Sequence, residues 1–179
     1  EPYPLNARAL LVDSGCTDGL RTSLNGALPG TKVEDDSGMT IGEKGASLAT
    51  MGSYIYAEKW YGADGSYEFR LNRNFHTPKG RTDVISESQE VKSRGSRIVS
   101  DPKLGKTIFT EAGTELLISE SANDLGWLCL EPVIDHMTIR WMINTVGGLD
   151  KVLATLSKPD GAVMSIVLDS DNSDNAQRI

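Results

Sequence analysis

The sequence predicts a mainly β body followed by a helical stretch near its C-terminus, and three observations lead there. Glycine is plentiful, at 18 of 179 residues, while aromatics are only 6%, a profile that suits turn-rich strands better than a helical bundle. Short apolar or β-branched runs, bounded by Gly, Pro or Asp, recur along the first 130 residues. After Pro132 the apolar spacing changes from two to three and four.

The first run is Ala9-Leu10-Leu11-Val12, continuous and apolar like a strand buried on both faces. Residues 54–60 mix β-branched and aromatic side chains, and Gly62-Ala63-Asp64-Gly65 supplies a turn. Tyr67, Phe69 and Leu71 follow with period two, so the pair predicts a β-hairpin. Val84-Ile85 is a short apolar pair after Pro78 and Gly80, and residues 97–100, 107–110, 115–119 and 127–130 are further short strands. Beyond Pro132, Asp135 is placed to cap a helix carrying Met142, Val146, Leu149, Leu153 and Leu156. Gly147-Gly148 falls inside it and is expected to kink or split it, at roughly 1 kcal/mol per glycine relative to alanine. Residues 162–168 predict a last strand, and the polar, acidic residues 169–179 a disordered tail.

Composition narrows the function. A net charge of −7 repels a phosphate backbone, so no nucleic-acid partner is expected. The basic residues from Lys92 to Arg97 and from Lys103 to Lys106 are thin, have acids nearby and are taken as solvated loops. No apolar run reaches membrane-spanning length and no signal peptide stands at the start, so no membrane partner is expected. Two cysteines, Cys16 and Cys129, fit free thiols in a reducing compartment, with one long-range disulfide as the alternative for a secreted chain. His76 and His136 are isolated, so no metal and no cofactor are expected. There is no G-x-S-x-G elbow and no phosphate loop, and Trp60, Trp127 and Trp141 are expected as core or interface anchors.

One segment carries chemistry: Ala9-Leu10-Leu11-Val12-Asp13-Ser14-Gly15-Cys16-Thr17. A rigid apolar strand delivers a carboxylate into a tight turn that Gly15 permits, with the hydroxyls of Ser14 and Thr17 beside it. Two such carboxylates brought together share one proton and activate water between them. Cys16 is expected to pack beside the loop. The triplet alone is not specific. Asp36-Ser37-Gly38 repeats it after Val33-Glu34-Asp35, where no buried strand leads in, and that copy reads as a surface turn. The first copy can likewise be a strand ending in a polar turn.

The stretch from Ala7 to Thr17, ARALLVDSGCT, resembles the active-site segment of retropepsin-like aspartic proteases. The downstream order resembles the copia-type branch of LTR retrotransposon polyproteins over roughly residues 7–130. The resemblance implies a retropepsin-like closed β fold with an added small-strand segment, here followed by a C-terminal helix. It places a protease domain at 1–94 and a pre-integrase-like β segment at 95–130; the helix plus strand at 131–168, of unassigned role, matches nothing in the family. Asp13, Ser14, Gly15 and Thr17 form the implied catalytic loop. Ile41, Gly42, Glu43, Lys44 and Gly45 form the flap over the substrate, and Thr82-Asp83-Val84-Ile85-Ser86 the closing segment. The His-rich, zinc-binding stretch that usually follows in such polyproteins is not found here.

The implied activity is an aspartic endopeptidase that processes a polyprotein. A chain of this length offers one catalytic loop, so the partner is a second copy in a homodimer or larger homo-oligomer, and the substrate a peptide or polyprotein. The expected location is the cytoplasm or a virus-like particle. Two other readings stay open: a self-assembling viral or phage coat or tail component without catalysis, and a secreted adhesin with Cys16 bonded to Cys129.

Overall fold

A computed structural model describes residues 8–14, 16, 18–34, 39–40, 47–48, 51–103, 105–120, 125–159 and 161–168. In chain order the strands are β1 (Arg8–Asp13), β2 (Leu20–Arg21), β3 (Met39–Thr40), β4 (Ser47–Leu48), β5 (Ser53–Tyr61), β6 (Tyr67–His76) and β7 (Asp83–Ser86). Then come helix α1 (Glu87–Lys92), strands β8 (Arg97–Asp101), β9 (Gly105–Phe109), β10 (Glu115–Leu117), β11 (Ser119–Glu120) and β12 (Gly126–Pro132), helices α2 (His136–Thr145) and α3 (Leu149–Thr155), and β13 (Val163–Leu168).

The protein is mainly β, built on a closed six-stranded barrel. Its strands follow the order β1-β7-β2-β6-β5-β12, and β12 pairs back onto β1 to close the ring. Closure satisfies the main-chain groups that an open sheet leaves at its edges. Strand β1 lies between β7, to which it is parallel, and β12, to which it is antiparallel; Leu10 and Val12 join one apolar cluster and Leu11 another, so both faces are covered and the apolar run is continuous rather than alternating. Strand β12 lies beyond residue 94 in the chain, yet it completes the barrel between β1 and β5. Strand β13 adds to the side of β6, and β8, β9 and β10 form a separate three-stranded sheet.

The hairpin expected at residues 54–71 is β5 and β6, paired from Ser53 opposite Phe75 to Tyr61 opposite Tyr67 around a short 3-10 turn at Ala63–Gly65. Its two faces differ. Ile55, Ala57, Phe69 and Leu71 pack with Met142, Val152 and Leu156 from the two C-terminal helices. On the other face Trp60 joins Leu10, Ile85, Leu128 and Leu130, which are covered by Ile108, Leu116 and Ile118 from the small sheet and the residue after it. Each of the Leu, Ile, Val, Phe and Met side chains among these is worth roughly 1.5–3 kcal/mol of burial, so the helices and the small sheet are both fastened to the barrel by apolar contact.

Glu58, Glu68, Arg70, Asn72 and Asn74 share the face of Trp60 and are buried, not solvated. Arg21 donates to both carboxylate oxygens of Glu58, from Nε at 2.7 Å and from Nη2 at 3.0 Å. Glu90 on α1 accepts from Arg70 Nη1 at 2.7 Å, Arg94 Nη1 at 2.9 Å and Ser96 Oγ at 2.9 Å. The guanidinium of Arg70 also lies 4.1 Å from the Trp60 ring centroid, a cation–π contact that places this charge against the core.

These contacts correct the reading of Lys92 to Arg97 as solvated loop at Arg94, while Lys92 and Arg97 are exposed as expected. Residues Glu87–Lys92 form α1, and Arg94 is only 4% exposed, because Glu90 one turn earlier neutralises it. Lys103 is exposed as expected, whereas Lys106 is half-buried beside Glu87.

At the C-terminal end, Asp135 caps α2, its Oδ2 accepting from Thr138 N at 2.8 Å. Gly147 and Gly148 take φ of +116° and +102° and divide α2 from α3, conformations that an L side chain rarely adopts. The acidic residues 169–179 lie outside the described residues.

Candidate functional site

Asp13 is the last residue of β1 and stands opposite Ser86, the last residue of the parallel strand β7. Two parallel strands ending together bring the turn after β1 against the start of α1. Ser86, fully buried, ties them: its hydroxyl donates to the carbonyl of Cys16 at 2.6 Å and accepts from Gln89 N at 3.0 Å. The first bond holds the turn after Asp13, and the second caps α1. Cys16 donates from Sγ to the Asp18 carbonyl at 2.9 Å and packs with Leu11, Leu20, Phe75 and Val84. The loop is thus fastened by a hydroxyl, a thiol and an apolar cluster.

The Asp13 side chain is half-buried and Ser14 is exposed. Both line a cleft of about 290 Å³ bordered by Leu11, Glu87, Lys106, Glu120 and Leu125. The described lining combines the carboxylates of Asp13, Glu87 and Glu120 with apolar side chains and the cation of Lys106. Lys106 Nζ lies 3.4 Å from Glu87 Oε2, both side chains partly exposed. A cleft of this size and lining can take a small polar group beside Asp13.

Of the residues expected in the catalytic loop, Asp13 and Ser14 are brought to this cleft, and Gly15 and Thr17 lie outside the described residues. The flap residues Ile41, Gly42, Glu43, Lys44 and Gly45 also lie outside them, as does Asp36-Ser37-Gly38. The flanks of the flap are described. Met39 pairs with Leu48 and Thr40 with Ser47, antiparallel, so the two ends of the segment meet as a hairpin stem.

Glu87 and Glu120, which the sequence did not mark, join the cleft with Lys106, which was expected only as part of a solvated basic loop. They come from α1, β9 and β11, and only the folded sheet order brings them beside β1. Ser86 did carry a signal. Ser86-Glu87-Ser88-Gln89 has the S-x-x-Q spacing of a capping box, and that marks a helix start.

Among the described residues no group of three or more His, Cys, Asp or Glu is arranged to hold a metal ion. His76 is partly buried against Tyr54, and burial lowers its pKa. Burial raises the pKa of the Cys129 thiol, with Glu131 adding to it. Among the described residues no helix is long and apolar enough to cross a membrane.

Comparison of the chain with family models, with curated proteins and with solved structures returns no match.

Proposed function

We propose that the chain is one subunit of a homodimeric aspartic endopeptidase, similar to the retropepsin-like proteases of copia-type polyproteins. The observation that carries this reading is the placement of Asp13. It ends an apolar strand held between two others, its turn is pinned by Ser86, and it lines a cleft of about 290 Å³.

One carboxylate cannot do the chemistry. Peptide hydrolysis of this class needs one carboxylate ionised to take a proton from water and one protonated to give a proton to the scissile carbonyl. Two carboxylates in hydrogen-bonding reach meet that need, because like charges at that range cannot both ionise and one proton is shared. A twofold axis beside the Asp13 turn supplies the second Asp13 from an identical chain. The flap reading of residues 41–45 is supported by the antiparallel stem at Met39–Thr40 and Ser47–Leu48. A hairpin arm of that kind closes on an extended peptide by adding main-chain pairing. The place of action that goes with this reading is the cytoplasm or a virus-like particle.

The test is cleavage by wild-type protein and by Asp13→Asn, assayed on a mixed peptide library across pH. Asparagine keeps the shape and removes the titrating group. The expected result is cleavage by the wild type and its loss in a variant with an unchanged circular-dichroism spectrum and melting point. Cleavage by folded Asp13→Asn defeats the proposal. Large regular assemblies with no cleavage at all would favour the coat or tail component instead.

A further inference from the structure

Strand β13 uses one of its two sides. It pairs with β6 in an unbroken register, from Val163 opposite Asn72 to Leu168 opposite Tyr67, and among the described residues no strand pairs with its other side. Edge strands are commonly blunted by a charge, a proline or a bulge. The run Val163-Met164-Ser165-Ile166-Val167-Leu168 has none of these. Its outer N–H and C=O groups are a template for a further strand.

Two pockets follow this edge. The larger, of about 430 Å³, is lined by four consecutive residues of β13, from Val163 to Ile166, and by Val146, Lys151 and Thr155 of the helical end. Successive side chains of a strand point to opposite faces, so a cavity touching all four lies along the outer edge rather than on one face. The smaller, of about 250 Å³, shares Val163 and Ser165 with it and is walled by Thr110, Glu111 and Ala112 of the turn between β9 and β10. The edge of β13 is thus the floor of a groove, with α2–α3 as one wall and the β9–β10 turn as the other.

That shape selects the occupant. A strand laid on the edge pairs its main chain with β13 and sends its side chains alternately to the two walls, the mode in which a sheet edge recognises an extended peptide. A second copy would bring its own helices and turn flanking its β13, whereas a bare extended segment brings side chains alone. On the helix side, Met164 and Ile166 pack with the apolar core under α2 and α3, and Lys151 is the one charged residue among the described lining. That wall suits apolar side chains.

We propose that β13 receives an extended segment of a partner polypeptide as an added strand, with apolar side chains at alternate positions against α2–α3. The inference stands apart from the role of Asp13, whose cleft shares no residue with either pocket.

The experiment follows the main-chain amide signals of the 15N-labelled full chain during titration with capped eight-residue peptides. The first peptide alternates Val with Thr, the second carries Asn in place of each Val, and the third is the first with its main-chain nitrogens methylated. The expected result with the first is a saturable shift at residues 163–168 and roughly tenfold slower amide exchange at alternate residues of that strand. The second and third are expected to bind roughly tenfold more weakly. Thr155→Trp, at an exposed position on the α3 wall, is expected to weaken the first peptide roughly fivefold. Equal binding of the methylated peptide shows contact without strand pairing, equal binding of the Asn peptide removes the apolar preference, and an unchanged response in Thr155→Trp places the peptide elsewhere. Each of these overturns the proposal. So does the absence of any shift, or slow exchange at β13 that rises with protein concentration alone, which shows a second copy on the edge.

Discussion

Asp13 and Ser86 end two parallel strands in register, and the Ser86 hydroxyl holds the carbonyl of Cys16 three residues beyond the carboxylate. The same hydroxyl caps α1, so one side chain couples the position of the Asp13 turn to the start of a helix.

Removing that hydroxyl undoes both bonds at a fully buried position. Ser86→Ala is expected to lower unfolding free energy by about 1–3 kcal/mol, as losing an N-cap and a buried hydrogen bond does. Peptide cleavage is expected to fall by more than the fraction of folded protein accounts for. Denaturant titration alongside kcat measurement separates the two effects. A stability loss with unchanged kcat would mean that Ser86 supports the helix alone.

Together with the buried Glu58 held by Arg21, Glu90 contributes to the acid limb of stability. Burial opposes its charge, but Arg70 and Arg94 outweigh that and bring its pKa from 4.5 down to about 2. Its folded pKa lies below its unfolded one, so its contribution is complete above about 4.5 and disappears as pH falls towards about 2. Within that window this one group removes about 1.4 kcal/mol per pH unit. Glu90→Gln leaves two guanidiniums facing an amide and is expected to cost roughly 3–5 kcal/mol at neutral pH. Chemical denaturation from pH 2 to 7 checks both; a flat acid limb in the wild type would contradict the assignment.

Lys106 is expected to matter to substrate more than to folding. Its contact with Glu87 is 3.4 Å long and partly exposed, a class of pair worth about 0–1 kcal/mol. Lys106→Ala should therefore leave the melting point nearly unchanged while shifting KM for peptide severalfold, since it removes the cation bordering the cleft. Unchanged KM would take Lys106 out of substrate binding.

The elements legible in the sequence were those whose signal is local. The apolar run of β1, the β5–β6 hairpin and the Asp135 cap of α2 all follow from residues adjacent in the chain. Helix α1 was missed because six residues are too few to display a helical period, although the Ser86–Gln89 spacing marks its start. Strand β2 has two residues and no pattern to show. Barrel closure by β12 depends on pairing residues 8–12 with 126–130, a separation at which no local rule operates. The buried charges left no local signal: Glu68, Arg70 and Asn72 alternate with Phe69 and Leu71 as the polar face of a half-solvated hairpin does, and only folding brings Glu90 and Thr110 to them. For the cleft, Asp13 and Ser14 were visible because strand and turn are contiguous, whereas Glu87, Lys106 and Glu120 arrive from three separate elements.

The requirement for two Asp13 carboxylates is tested most directly by mixing. Wild-type and Asp13→Asn chains are unfolded together, refolded at varied ratios and constant total concentration, and assayed for peptide cleavage. If each active dimer needs an Asp13 from both subunits, activity falls as the square of the wild-type fraction, to a quarter at an equal mixture. A linear fall, to one half at that ratio, would show that a single chain carries the whole site and would contradict the account.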